Sequence, residues 1–394
     1  MREGWNTYKL GSFCDFQGGS QPPKGEWIKS PKEGYVRMLQ IRDFTKSRDF
    51  DIEYVRITDK LRLCKKDDIL IGRYGASVGK ILTGLAGAYN VAIIKTIPDE
   101  SIVCKPFLRR VLEAPGFQEL LGKVSTQRTA QAGFSKEDIA DYEVSLPSLP
   151  EQQRIVDILD QEFAKIDALK ANAEKSLQAA KDLFQATLKK ELEPKEGWET
   201  NTLSSIGKTA TGTTPSTSHK EYYGDFIPFI KPADINIDGE GGLCYSNEGL
   251  SEEGANNGRV FQENSILMVC IGASIGKVGY ALCPVSSNQQ INILTPSKEY
   301  HWKFLYYCMA SPDFQHKVIK EGESAKATLP IINKSKWERL TISTPNFTEQ
   351  ERIIAHLDDL NNRCNILQEN YQKTLTLCDD LKQALLRKAF NGEL

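Results

Sequence analysis

Several features that mark common functional classes are missing from this 394-residue sequence. The nine cysteines (14, 64, 104, 244, 270, 283, 308, 364 and 378) form no CxxC pair and do not repeat between the two halves of the chain. That argues against a zinc site or a disulfide framework and fits a reducing cytoplasm. No apolar run approaches the roughly 18 residues that would cross a bilayer. The opening residues, Met1-Arg2-Glu3-Gly4-Trp5, carry an acid and lack the apolar core of a signal peptide. Charge of one sign is not in excess: 50 basic against 52 acidic residues give a net charge of −2. A small DNA-binding module is usually clearly basic, so any nucleic-acid role must rest on local patches or on a partner's charge. Histidine is scarce, and all four (219, 301, 316 and 356) lie in the second half. No glycine-rich cofactor motif follows a strand, and neither Asn-Pro-Pro-Tyr nor Asp-Pro-Pro-Tyr occurs, so no complete adenine methyltransferase is encoded.

What is present is a duplication. Arg2-Glu3-Gly4-Trp5 recurs as Lys195-Glu196-Gly197-Trp198, and Gly75-Ala76-Ser77-Val78-Gly79-Lys80 recurs as Gly272-Ala273-Ser274-Ile275-Gly276-Lys277. Glu151-Gln152-Gln153-Arg154-Ile155 recurs as Glu349-Gln350-Glu351-Arg352-Ile353, and Asp182-Leu183 as Asp380-Leu381. The offsets, 193, 197, 198 and 198 residues, far exceed a solenoid period of about 20–50. They imply two equivalent globular units and two equivalent connectors. Residues 1–196 hold 31 basic and 29 acidic residues, the remainder 19 and 23. The units therefore share an architecture but not a surface.

In each half, short apolar strands bounded by Gly, Asn or Pro precede helical patches. They are Asp68–Gly72 and Val91–Ile97 in the first half, Ser265–Ile271 and Gln290–Leu294 in the second. The helical patches, Pro106–Glu113 and Trp302–Met309, each lead into a "Pro-x-Phe-Gln" turn at Pro115–Gln118 and Pro312–Gln315. Gln17–Ser20 and Asp238–Gly242 read as glycine-rich loops. A long helix ends each half, with capping boxes expected at Ser148/Glu151 and Thr348/Glu351. A 4-3 spacing runs through Ile155, Leu159, Glu162, Ile166, Leu169, Ala173, Ser176, Ala180 and Leu183, widened by Phe163, Leu177, Phe184 and Leu188. The second helix answers with Ile353, Leu357, Leu360, Cys364, Leu367, Tyr371, Thr374, Cys378, Leu381 and Leu385, and Asn391-Gly392 as its C-cap. Sustained over about five heptads, this predicts an antiparallel coiled coil. The alternative is that each helix simply packs on its own domain. The fold expected is α+β: globular domains at 1–148 and 195–346, long helices at 149–194 and 347–394, related by a pseudo-twofold internal repeat.

Gly75-x-x-x-Gly79-Lys80 and its copy are one residue short of a P-loop, and Ile81 or Val278 stands where that motif needs Ser or Thr. Nucleotide hydrolysis is not expected. Two readings stay open: a turn whose glycines serve the backbone, or a loop whose N–H groups and lysine grip a nucleic-acid phosphate. A duplicated enzyme would keep a catalytic histidine in both copies, and neither half has one in common. Pro98-Asp99-Glu100 is similar to a nuclease Pro-Asp element, but no Asp/Glu-x-Lys follows. The chain reads as non-catalytic.

Candidates for DNA contact are polar or basic residues near aromatics or in loops, since Arg reads guanine and Asn or Gln reads adenine. In the first half these are Arg37, Gln40, Arg42, Arg73, Tyr74, Ser77, Lys80, Asn90, Gln127 and Arg128. In the second they are Lys231, Ser274, Lys277, Asn288, Gln289 and Lys326. For any one of them a solvated surface role is the alternative. Residues shared by both halves (Ser77/Ser274, Lys80/Lys277, Asn90/Asn288) suit scaffold or phosphate roles; divergent loop residues suit base reading.

At these motifs the chain resembles the specificity (S) subunits of type I restriction–modification systems. The likeness is carried by the duplication, by Asp68-Ile-Leu-Ile-Gly-Arg-Tyr-Gly-x-x-x-Gly-Lys80, by Thr126-Gln127 and Gly133-Phe-Ser-Lys136, and by Leu-Pro-Glu151-Gln-Gln-Arg-Ile-Val156 opening a long helix. It covers essentially the whole chain. The second copy departs from it at Ser324-Ala-Lys-Ala-Thr328. The resemblance implies two target-recognition domains, each reading one half of a split, asymmetric double-stranded DNA target. It implies helices that set the gap and dock two methyltransferase (M) subunits, with Glu151, Gln152, Arg154, Glu349, Gln350 and Arg352 as partner-facing residues. It further implies motor-nuclease (R) subunits, no cofactor in this chain, S-adenosylmethionine in the M subunits, ATP and Mg in the R subunits, and a cytoplasmic location without membrane contact. The rival reading is a non-catalytic coiled-coil adaptor whose heads bind proteins or glycans.

Overall fold

The computed structural model describes residues 4–44, 52–126, 133–235, 241–323 and 329–394. The chain forms two compact units, and neither is a sequence half. One joins Met1–Glu174 to Lys373–Leu394; the other is Lys175–Gln372. Each long helix, Leu149–Glu191 and Phe347–Asn391, therefore contributes to both units.

In the first unit, Asn6–Lys9 pairs antiparallel with Glu143–Leu146 and ties the head's beginning to its end. A four-stranded antiparallel sheet runs Cys14–Gly18, Ile93–Pro98, Leu70–Gly72, Ile81–Leu82. A second sheet runs Tyr54–Arg56, Tyr35–Leu39, Gly87–Tyr89, Leu63–Cys64, with Tyr35–Leu39 and Gly87–Tyr89 parallel. The second unit repeats the plan. Glu199–Thr202 pairs with Thr341–Thr344, and the sheet runs Gly207–Thr211, Ile291–Pro296, Ile266–Val269, Val278–Ala281, with Gly242–Leu243 added at its edge. Even the register is kept: Gly18 faces Ile94 in one head, and Thr211 faces Asn292 in the other.

Two local expectations need correction. The Pro-x-Phe-Gln segments are not turns but the first turns of helices Pro115–Thr126 and Pro312–Glu323, where proline's missing N–H costs nothing. Their phenylalanines, Phe117 and Phe314, are buried in the cores. The second long helix is capped two residues earlier than Thr348: the Glu349 N–H donates to Asn346 Oδ1 at 3.0 Å. Thr348 already lies inside the helix.

The long helices pair antiparallel within each unit. In the first, Lys170 meets Asp379, Lys382 meets Asp167, and Arg154 Nη2 donates to the Leu394 carbonyl. In the second, Arg352 and His356 both meet Glu191. The seam, however, is not the strict 4-3 series. Leu169, Leu183, Leu367 and Leu381 are 56%, 51%, 41% and 48% exposed, while Lys170, Phe184, Gln368 and Lys382 are half-buried. A nearly straight helix turns at 3.6 residues, so a 3.5-residue pattern drifts by about 20° per heptad, and the buried face moves on by one residue. Phe163 likewise takes the buried place expected for Glu162, which pairs with Lys165.

The helices also complete the heads. Ile155, Val156, Leu159, Phe163 and Ile166, with Cys378, Leu386 and Ala389, belong to the same core as Leu10, Phe107 and Phe117. Leu188, Ile353, Ile354 and Leu357 play this part in the second unit. At about 1.5–3 kcal/mol per fully buried aliphatic side chain, a head cut away at residue 148 loses a substantial share of its core. Packing on the neighbouring head and pairing with the other helix thus coexist.

Candidate nucleic-acid interface

The glycine loop is built alike in both heads. It is a 3-10 turn, Gly75–Ser77 or Gly272–Ser274, following the sheet's third strand. Gly75 and Gly79 have φ of +60° and +80°, and Gly272 and Gly276 +81° and +91°, a region that disfavours side chains. The loop's later N–H groups are spent internally: Gly79 donates to the Gly72 carbonyl and Lys80 to the Ser77 carbonyl, as Gly276 does to Val269 and Lys277 to Ser274. Of the two open readings, these bonds match the turn, and the later N–H groups are not offered to a phosphate. Gln118 braces it by donating to the Gly79 carbonyl at 3.0 Å and to the Leu112 carbonyl at 2.7 Å; Gln315 lies equally close to Gly276. What the loop presents is its lysine. Lys80 is exposed, Lys277 half-buried, and neither ammonium has a partner among the described residues. Ser77 and Ser274 contribute their carbonyls to the turn.

Asn90 and Asn288 are turn formers. Asn90 Oδ1 accepts from Ala92 N–H, Asn288 Oδ1 from Gln290 N–H. Gln289 is exposed and receives the Thr214 hydroxyl.

Beside this turn lies a slot where the heads differ. Arg73, at the end of the third strand, donates from Nε to the Phe134 carbonyl at 2.9 Å, and its guanidinium carbon sits 5.0 Å from the Tyr74 ring centroid. Gly133 permits the ring's close approach, since a Cβ there would lie 2.7 Å from Tyr74 Cδ1. Register places Cys270 at the Arg73 position: both amides bond the carbonyl of the residue immediately before the sheet's second strand, Ala92 and Gln290 respectively. The corresponding slot in the second head is a void of about 340 Å³ whose lining includes Thr211, Cys270, Gln290, Asn292 and Ile332. Asn292 is 3% exposed; its Oδ1 accepts from Thr211, and its Nδ2 has no oxygen or nitrogen acceptor among the described residues. Burial pushes the Cys270 thiol up to about 12, so it stays protonated. Thr211, Cys270 and Asn292 were not among the sequence candidates. Comparing the two copies column by column along the sheet, rather than scanning loops, would have found them.

The other first-head candidates are engaged within the chain. Arg37 pairs with Asp43 at 2.8 Å, and Glu53 takes both Gln40 at 3.0 Å and Arg42 at 2.6 Å. Lys231 repeats the latch, meeting Glu248 at 2.5 Å while its N–H donates to Asp234. In each head these side chains tie a strand to its following turn through intrachain ion pairs. Gln127, Arg128 and Lys326 lie outside the described residues.

The partner-facing set divides as well. Gln152 and Gln350 are 0% and 1% exposed, so no partner can touch them. Gln152 Oε1 accepts from Cys104 N–H, and its Nε2 donates to the Ile102 and Pro147 carbonyls. Gln350 does the same for His301 N–H and the Pro345 carbonyl. Each glutamine staples a long helix to its head. Glu151 and Arg154 form an exposed two-bonded pair, as do Glu349 and Arg352; these four remain at the surface.

The family model described as the type I restriction modification DNA specificity domain matches residues 2–179 and again 195–377. The specificity subunit of the type I restriction enzyme HindI of Haemophilus influenzae is 32% identical over 204 residues, 50% of this chain and 42% of that subunit. This match thus takes in less than half of that relative. The EcoBI specificity subunit of Escherichia coli is 24% identical over 427 residues, spanning 100% of this chain and 87% of its own. A chain from a study of assembly and conformational transition of the type I R-M system superimposes with a TM-score of 0.78 at 18% identity, covering 100% of this chain and 99% of that one. The HsdS subunit from Thermoanaerobacter tengcongensis gives 0.56 at 18% identity, covering 100% and 98%. At such identities the likeness is one of fold. No helix among the described residues is long and apolar enough to cross a membrane.

Proposed function

Because the chain belongs to the type I restriction modification DNA specificity family, we propose that it is the sequence-reading subunit of such a system, each head reading one half of a split double-stranded target. One observation carries this reading. The heads share strand register, glycine turn, turn lysine and asparagine turn, yet differ in the side chains that fill the slot beside them. A common frame with exchanged fillings suits two half-sites of different sequence, since phosphate contacts position a protein and base contacts specify.

The chain itself acts without catalysis in this reading. Two methyltransferase subunits bearing S-adenosylmethionine dock on the helices, and motor-nuclease subunits using ATP and Mg complete the assembly. A net charge of −2 then needs no remedy, because partners clamping the duplex supply much of the counter-charge. In this reading the working place is the cytoplasm, where the DNA target lies. The test is to sequence modified bases in a host expressing the chain with its M partner. A split motif with adenine methylated in both halves is expected; methylation that persists unchanged when this chain is deleted removes the proposal.

A further inference from the structure

We propose that Arg73 reads a guanine in the half-site of the first head, and that the slot it fills is the position at which the two heads diverge in specificity. The inference rests on the DNA-reading function above and names one of its contacts.

Three features prepare Arg73 for this. Its Nε is held by the Phe134 carbonyl at 2.9 Å. Its plane is backed by the Tyr74 ring. No carboxylate claims its Nη1 and Nη2 among the described residues, unlike those of Arg37, Arg42 and Arg110. A half-buried guanidinium fixed at one edge with two parallel donors left over matches the O6 and N7 acceptors of guanine in the major groove. A phosphate would be an equally good acceptor, but phosphates are common to both half-sites. A phosphate grip should therefore be present in both heads, as the turn lysines Lys80 and Lys277 are. Arg73 is not: register puts Cys270 there.

The surroundings changed with it. A Cβ on Gly18 would lie 3.9 Å from Arg73 Nη1, so the guanidinium extends over a bare strand. The facing residues of the second head are Thr211 and Asn292, and the space is the void of about 340 Å³. The strand end there carries a short thiol and a buried amide, which cannot present a guanidinium fork.

The experiment uses the full-length chain expressed with its methyltransferase partner, read out by genome-wide detection of methylated adenine. Wild type must first yield a split motif; if it yields none, the reading of the chain as a specificity subunit fails, independently of Arg73. With the motif established, Arg73→Lys keeps the charge and one donor for the Phe134 carbonyl but loses the fork. It should relax a guanine requirement at one position of one half-site by on the order of 10- to 100-fold, leaving the other half-site unchanged. An unaltered motif overturns the proposal. So does a uniform loss of methylation at all sites with no change of base preference, the signature of a phosphate contact or a structural role. The reciprocal graft, Thr211→Gly with Cys270→Arg, should add a guanine preference to the other half-site. If Arg73→Lys does not fold, a folded graft decides, and one leaving both half-sites as in wild type counts against the proposal.

Discussion

Lys80 and Lys277 stand at the same point of two turns whose later N–H groups, those of the lysines included, are occupied, so what each lysine offers is its charge. Replacing either by alanine should weaken DNA binding for all sequences alike and reduce the slope of log K against log salt by about 0.9. Titrations at several salt concentrations check this; a changed recognition motif would place the loop among the base readers. His301 makes a second residue-scale prediction. It caps helix Trp302–Ala310, its Nδ1 accepting from Lys303 N–H at 3.2 Å. Burial holds its pKa below the usual 6.5; Lys303 acts the same way, while Glu351 and Asp358 oppose it. The folded value is depressed, so this contribution to stability is fully present above about pH 6.5 and is lost as pH falls through the lowered value. Acidification from pH 7.5 to 5 should lower the exchange protection of 302–310, measured against the pH-dependent intrinsic rates, more than that of 105–113, where Cys104 occupies the cap. His301→Asn, which caps without titrating, should remove the difference; its persistence would place the pH effect elsewhere.

At the scale of elements, the glutamines that follow Glu151 and Glu349 were readable as a motif but not as staples. Periodicity ranks glutamine as surface, and only the head's approach turns Gln152 and Gln350 inward. Gln152→Leu should leave the Cys104 N–H and two carbonyls without partners and destabilise the first unit by about 1–3 kcal/mol. Gln350→Leu should do this to the second, whereas Arg154→Ala on the exposed pair should cost at most about 1 kcal/mol. Denaturant-dependent hydrogen exchange, resolved by unit, checks all three; equal losses for Gln152→Leu and Arg154→Ala would contradict the staple. The long helices were legible from spacing, and their ends nearly so. Gly392 has φ of +73° and its N–H donates to the Ala389 carbonyl, as Asn391-Gly392 suggested. The seam was legible only coarsely, because a heptad template and a 3.6-residue helix part company after a few turns.

At the scale of the molecule, unit boundaries govern how heads can be exchanged. A chimera replacing residues 1–148 alone pairs a foreign head with the native Ile155, Leu159, Leu386 and Ala389 of its core. Moving 1–174 together with 373–394 carries the core intact. Both chimeras should alter one half-site and spare the other, but the second should melt closer to the parents. Methylome sequencing and thermal unfolding read the two outcomes, and a change in both half-sites would show that the heads do not read independently.

The sequence by itself determined the duplication, the two long helices and the family, because each rests on local patterns or on residues repeated in phase. It could not decide which polar side chains are free. Arg37, Gln40 and Arg42 sit in one short segment with Asp43, which takes Arg37, but Gln40 and Arg42 are latched by Glu53, just before the neighbouring strand. Arg73 is set apart by a carbonyl at Phe134, 61 residues away. Whether a donor is consumed or offered depends on what lies opposite it across strands and helices. Such pairings are nonlocal, and tertiary structure alone makes them.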